Sequence, residues 1–295
     1  MKQFRRIGVF LHDSPADDEA LAYTSRVAEL ANAESVLCVH MRESSEAGGA
    51  DPDAAAFQAE VLRRLPAAVA SRTKVEVHTG TGIPEVLRSA RDLQLDVVVV
   101  GRRLPSEQVG IGAAFSKLAR KCPCSVLVVP SHARVHLSRM LVPVDFSEHS
   151  KLALEQAIAM ARSSGESTPQ IVAHSVCSVG YGYRKMGVTL YEATDQLVAT
   201  TAQKLTEFVA GVDAKGVALE TVCTAAEDIE RGVLDMAAVH KVDVVVVGSR
   251  GMSWPVAALL GSTAERILVQ SPLPVLVVKK KGETTPLLNA LLGDA

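Results

Sequence analysis

The chain has 295 residues, 48% of them hydrophobic but only 4% aromatic, so Val, Leu, Ile and Ala supply enough apolar material for two ordinary domain cores. A net charge of −2 lacks the basic excess of a nucleic-acid binder. The apolar runs fall far short of the roughly 20 residues that cross a bilayer, and the opening MKQFRRIGVFLHDS is too short in its apolar part for a secretory leader, so a cytoplasmic protein without a membrane partner is expected.

The first strand is expected in RRIGVFLHDS (5–14) and the second in VLCVHM (36–41), which carries His40. Residues 44–53, rich in Ser, Gly, Ala and acid, read as a loop. Pro84-Glu85 opens a helix that leads to Leu95. The VVVV run at 97–100 is apolar at every position, as a strand buried on both faces must be. Cys122-Pro123-Cys124 lacks the usual spacing of a zinc or thioredoxin site. With Cys38, Cys177 and Cys223 it makes an odd, scattered set of five, which reads as buried thiols and not as a disulfide framework. Another apolar run, CPCSVLVVP, follows at 122–130, with its strand at 125–129.

After a short polar join near 131–138, the plan repeats. SRMLVPVDFS (138–147) matches the first strand, and Ser147 is placed to cap a helix whose apolar residues include Leu152, Ala153, Ala157 and Ala161. IVAHSV (171–176) matches VLCVHM, with His174 set opposite His40. VVVV at 244–247 matches 97–100, and PVLVVK ends the copy. The offset is 133 residues at the first strand and 147 at the Val-rich strand, so the second copy carries an insertion around GYGYRKMGVTLYEATD. Alternating strands and helices predict two α/β domains, each a five-stranded parallel sheet with helices on both faces. The domains are set at 1–133 and 137–281, followed by a tail at 282–295.

The chemistry concentrates after the second Val-rich strand, in G-x2-G-x9-G-[ST]: Gly248-Ser249-Arg250-Gly251, then Gly261-Ser262-Thr263. Glycines let backbone N–H groups approach a phosphate. A helix opening at Gly261 adds unpaired donors and a partial positive charge, and Arg250 a full one. Against this, Ser262 and Glu265 spell a capping box that needs no ligand. Asp145, at the end of the first strand of this copy, suits a ribose hydroxyl, a base amine or Mg²⁺; it would equally serve as a turn residue. His40 and His174 read as packing residues. No nucleophile–base pair and no metal-ligand cluster is evident in the sequence.

These motifs (VPVDFSEHSKLAL, the His174 strand, and VVVVGSRG with its LLGSTAERIL continuation) resemble the universal stress protein family over nearly the whole chain. The resemblance implies two Rossmann-like domains of the adenine nucleotide alpha hydrolase type. It implies ATP, with Mg²⁺ reachable from Asp145, bound in the second domain. The adenosine would lie against Pro143, Val144, Asp145, Ser175 and Val247, and the phosphates on Gly248, Arg250, Gly251, Gly261, Ser262 and Thr263. Ser175 departs from the Val that binding members often place against adenine. A regulatory stress-response role is implied, with pairing of the two domains through their last strands and homodimers as the family's habit. A slow ATPase or nucleotidyl-transfer enzyme, and a scaffold without nucleotide, are the alternatives. The first copy departs more. It has Leu104 for the second glycine, Gly112-Ala113-Ala114 without a hydroxyl, and His12 (or Asp13) in place of Asp145, and is expected to bind ATP poorly.

Overall fold

The computed structural model describes residues 4–42, 54–79, 82–103, 112–165, 170–178, 189–214, 216–251 and 260–280. The loop at 44–53, Leu104, most of the inserted stretch (179–188) and the tail at 282–295 lie outside the described residues. The chain forms two compact units, one built chiefly from Met1–Val135 and the other from His136–Ser271 with Val275–Lys279.

In the first unit the order is β1 (Arg6–Leu11), α1 (Asp17–Ala31), β2 (Ser35–Arg42), α2 (Ala54–Arg64), α3 (Ala67–Ala70), β3 (Thr73–Thr79), α4 (Gly82–Asp92), β4 (Val97–Arg102), α5 (Gly112–Lys121) and β5 (Ser125–Pro130). The second unit repeats it with β6 (Arg139–Pro143), α6 (Glu148–Ser163), β7 (Gln170–Cys177), α7 (Leu190–Ala210), β8 (Ala218–Ala225), α8 (Ile229–Val239), β9 (Val244–Gly248), α9 (Ser262–Gln270) and β10 (Val275–Val278). The sheets run β3-β2-β1-β4-β5 and β8-β7-β6-β9-β10, and the paired strands are parallel. Each Val run is buried at every position, as expected for a central strand covered by helices on both faces. Sequence reading gives one helix between the second and third strands; the first unit has two. Pro66 separates them, because its ring denies the helix an N–H and disfavours helical backbone at Leu65.

In both units the chain reverses direction across the sheet between the first strand and the fourth, and this opens a crevice at the carboxyl ends of β1/β4 and β6/β9. Aspartate clamps fix the opposite ends. Asp96 Oδ2 accepts from the Arg5 and Arg6 amides, and Asp243 Oδ2 from those of Ser138 and Arg139. These clamps make Arg6 and Arg139 equivalent, an offset of 133. The left-handed residues that follow the strands, Asp13 (φ 54) and Phe146 (φ 67), keep the same offset. His12 therefore stands at the position of Asp145, and Asp13 does not.

The second strands need a correction. Arg6 pairs with Ser35 and Arg139 with Gln170, so His40 is equivalent to Ser175 and His174 to Val39. The two histidines are one residue out of step and project to opposite faces of their sheets, since side chains alternate along a strand.

Candidate functional site

The crevice of the second unit widens into a cavity of about 410 Å³, within the range of small-molecule sites. All of the residues expected to touch a nucleotide line it: Pro143 at the end of β6, Val144 and Asp145 just after it, Ser175 on β7, Val247 and Gly248 on β9, then Arg250, Gly251, Gly261, Ser262 and Thr263. Sequence reading missed the walls contributed from elsewhere, namely Thr201 of α7, Ile229 and Val233 of α8, and Ile267 of α9. Ile267 follows Thr263 by four residues and so falls on the same helix face. The others come from helices far away in sequence, with no motif to mark them.

The glycines differ in what they do. A Cβ on Gly248 would lie 2.6 Å from the backbone of His149, and one on Gly101 would lie 2.6 Å from the carbonyl oxygen of Ala16, the equivalent residue of the first unit. Both glycines therefore let the first helix of their unit pack onto a strand end, whatever the crevice holds. Gly251 belongs to the cavity itself: its Cβ would lie 2.7 Å from Asp145 Oδ2. A Cβ at Gly261 would make only ordinary contacts, the nearest 3.5 Å away at the Gly251 nitrogen.

Asp145 is locked at one oxygen. Its Oδ1 accepts from the Ser147 amide (3.1 Å) and the Ser147 hydroxyl (2.6 Å). Ser147 in turn caps α6, accepting from the Ser150 amide at 3.1 Å. The turn role read from the sequence is thus real, and it aims Oδ2 at Gly251. The segment after β9 is held as well: the Gly261 amide donates to Ser249 O (2.9 Å), and the Ser249 amide donates to Val278 O (3.1 Å). Gly261 is the N-cap of α9, so Ser262 and Thr263 are its first two helical residues. The capping box read at Ser262–Glu265 is therefore absent, because Ser262 sits one place too late to cap. Gly261, Ser262 and Thr263 line the cavity at the N-terminus of α9, the positive end of the helix dipole.

His174 is fully buried, with Nε2 2.8 Å from Thr224 Oγ1 and no partner for Nδ1 among the described residues. Burial, reinforced by His240, pushes its pKa down to about 4, so it is neutral at physiological pH. Among the described residues no group of three or more His, Cys, Asp or Glu is placed to hold a metal ion.

The first unit builds the same crevice differently. His12 replaces Asp145, and burial lowers its pKa, which favours the neutral ring. His40, at the Ser175 position, is buried and stacks on Phe57 of α2 with centroids 4.2 Å apart; its Nε2 lies 2.8 Å from Asp13 Oδ1. Arg102 is buried at the end of β4, and Leu104 lies outside the described residues.

Two open parallel sheets with a glycine-bordered crevice at the reversal point define a tandem Rossmann-like α/β protein. The chain belongs to the universal stress protein family, which matches residues 3–130 and 136–279. It is 28% identical to Universal stress protein MJ0577 of Methanocaldococcus jannaschii over 168 residues, half of this chain and 98% of that protein. A universal stress protein structure from Archaeoglobus fulgidus is similar over 94% of this chain and 97% of its own, with a TM-score of 0.62 at 18% identity. A universal stress protein solved in complex with cAMP matches 44% of this chain and 99% of its own, with a TM-score of 0.37 at 17% identity.

Proposed function

We propose that the second repeat binds an adenine nucleotide, ATP before others, as a regulatory signal and not as a substrate for rapid turnover. The observation that carries this reading is the juxtaposition of Gly251, Asp145 Oδ2 and the N-terminus of α9 around one cavity. The donor set fits the ligand. Backbone amides and Arg250 suit a polyphosphate, and a locked carboxylate suits a ribose hydroxyl or a phosphate-bound Mg²⁺. Val144, Val176, Ile229, Val233 and Ile267 supply apolar surface for a base. Bound Mg²⁺ would neutralise phosphate charge beside Asp145. Ser147 fixes the carboxylate by holding Oδ1, and Gly251 leaves room for the ligand by lacking a Cβ.

On this reading the first repeat binds ATP poorly, because the stacked His40 and Phe57 occupy the part of its crevice that Ser175 lines in the second. The protein works in the cytoplasm, alone or as a homodimer. Among the described residues no helix is long and apolar enough to cross a membrane.

Nucleotide extracted from freshly purified protein and identified by mass tests the proposal. ATP, ADP or AMP near one per chain is expected, and it should be absent from Gly251→Glu. Protein that carries none and shows no thermal shift with Mg-ATP would favour a scaffold. Fast steady-state hydrolysis abolished by Gly251→Glu would favour an enzyme.

A further inference from the structure

Five cysteines are present, all as free thiols. Two of them meet at the edge of the nucleotide cavity. Cys177 is the last residue of β7 and lines the cavity. Cys223 lies on β8, across from Ser175, and Cys177 lies across from Ala225. With a two-residue repeat, Ser175, Cys177 and Cys223 share one face of the sheet and the two cysteines are diagonal neighbours. The Cys177 thiol reaches across to β8 and donates to Thr224 O, the carbonyl next to Cys223, at 3.3 Å. Cys223 is half-buried and Cys177 buried, so Cys223 is the more exposed of the pair while Cys177 borders the cavity.

We propose that Cys177 and Cys223 form a redox couple that closes to a disulfide under hydroperoxide and thereby weakens nucleotide binding in the second repeat. The stoichiometry balances with a hydroperoxide as the oxidant. The thiolate of Cys223 attacks the peroxide, whose O–O bond breaks to give a sulfenic acid and release an alcohol (water, for hydrogen peroxide). The Cys177 sulfur then attacks the sulfenic sulfur, the S–S bond forms, and water leaves with the hydroxyl and the Cys177 proton. Two thiols are oxidised and one peroxide is reduced.

The consequence for the cavity follows from where β7 ends. A disulfide needs an S–S length of about 2.05 Å and a close approach of the two backbones. Diagonal neighbours reach that only if the end of β7 leans toward β8. Residue 177 is the last of β7, so moving it disturbs less of the ladder than a shift in mid-strand would, at the cost of the 3.0 Å bond from the Ala226 amide to its carbonyl. The lean shifts the wall formed by Ser175, Val176 and Cys177. Burial and the Cys177 sulfur push the Cys223 thiol up to about 12. Little thiolate is therefore available, and the couple answers sustained rather than brief oxidant.

This consequence rests on the nucleotide reading, whereas formation of the disulfide does not, and one experiment separates them. Reduced protein and protein treated with hydrogen peroxide are digested without reduction, and their peptides are mapped by mass. Each is also titrated with Mg-ATP, alongside Cys223→Ser, whose altered residue lies off the cavity. The expected result is a Cys177–Cys223 linked peptide pair with loss of two hydrogens. Affinity should fall by about tenfold, within the usual range of site–site coupling, and Cys223→Ser should keep its affinity under peroxide. Oxidation that links other cysteines, a Cys177–Cys223 link without change in affinity, or a Cys223→Ser protein equally sensitive to peroxide would overturn the proposal. Reduced protein that ignores Mg-ATP would overturn the functional reading, and the peptide map would still decide whether the couple forms.

Discussion

At the scale of single residues, the glycines separate packing from binding. Gly248→Ala and Gly101→Ala should each destabilise their unit by about 1–3 kcal/mol in urea unfolding, because the added methyl meets helix backbone that cannot step aside. Gly261→Ala should leave stability within a few tenths of a kcal/mol, since its Cβ meets only ordinary contacts. If Gly248→Ala is instead silent in urea, the close packing against His149 is wrong. His174 provides a pH test. Its pKa falls from the ordinary 6.5 to about 4 on folding, so between these values the unfolded chain binds the extra proton. Its contribution is therefore complete above pH 6.5 and is lost as pH falls toward 4, amounting to roughly 3 kcal/mol at most. Wild-type stability should drop more steeply than that of His174→Gln across this window in parallel urea titrations. Equal slopes would place the ring in a wetter setting than the structure gives it.

At the scale of elements, the link from β6 into α6 joins fold to site. Ser147 caps the helix and also holds Asp145. Ser147→Ala should therefore cost about 1 kcal/mol of stability and also weaken Mg-ATP binding. A cap that acted on the helix alone would leave affinity untouched. Strands and helices were largely legible in the sequence, because uninterrupted Val runs and flanking glycines permit few other structures. What was misread was local register. His40 and His174 each stand beside a small or apolar residue, and a slip of one position preserves the apolar pattern while turning every side chain to the other face. Strand pairing resolves that, and the sequence alone does not. The false capping box at Ser262 has a similar origin: Gly261 is itself a permissible N-cap, and S-x-x-E reads the same one residue later. The break at Pro66 is not among the sequence expectations, because whether one helix or two follows β2 depends on how the flanking residues pack.

At the scale of the whole molecule, two copies of one plan have diverged around equivalent crevices. The G-x2-G-x9-G-[ST] spacing points to one wall of the second cavity, because those residues are close in sequence. The apolar walls from α7 and α8 were not marked, since Thr201, Ile229 and Val233 reach the cavity only through the sheet order. In the first copy, His12 and the His40–Phe57 stack replace a carboxylate and a small hydroxyl. Ligand stoichiometry thus becomes a property of the whole chain. Mg-ATP at 100 times Kd should stabilise the protein by about 2.7 kcal/mol, and all of that gain should disappear in Gly251→Glu. The most direct measurement is a calorimetric titration of the intact chain with Mg-ATP, run on wild type and Gly251→Glu. One site per chain, lost in the variant, is the predicted result. No binding heat, two equivalent sites, or a single site indifferent to Gly251→Glu would contradict it.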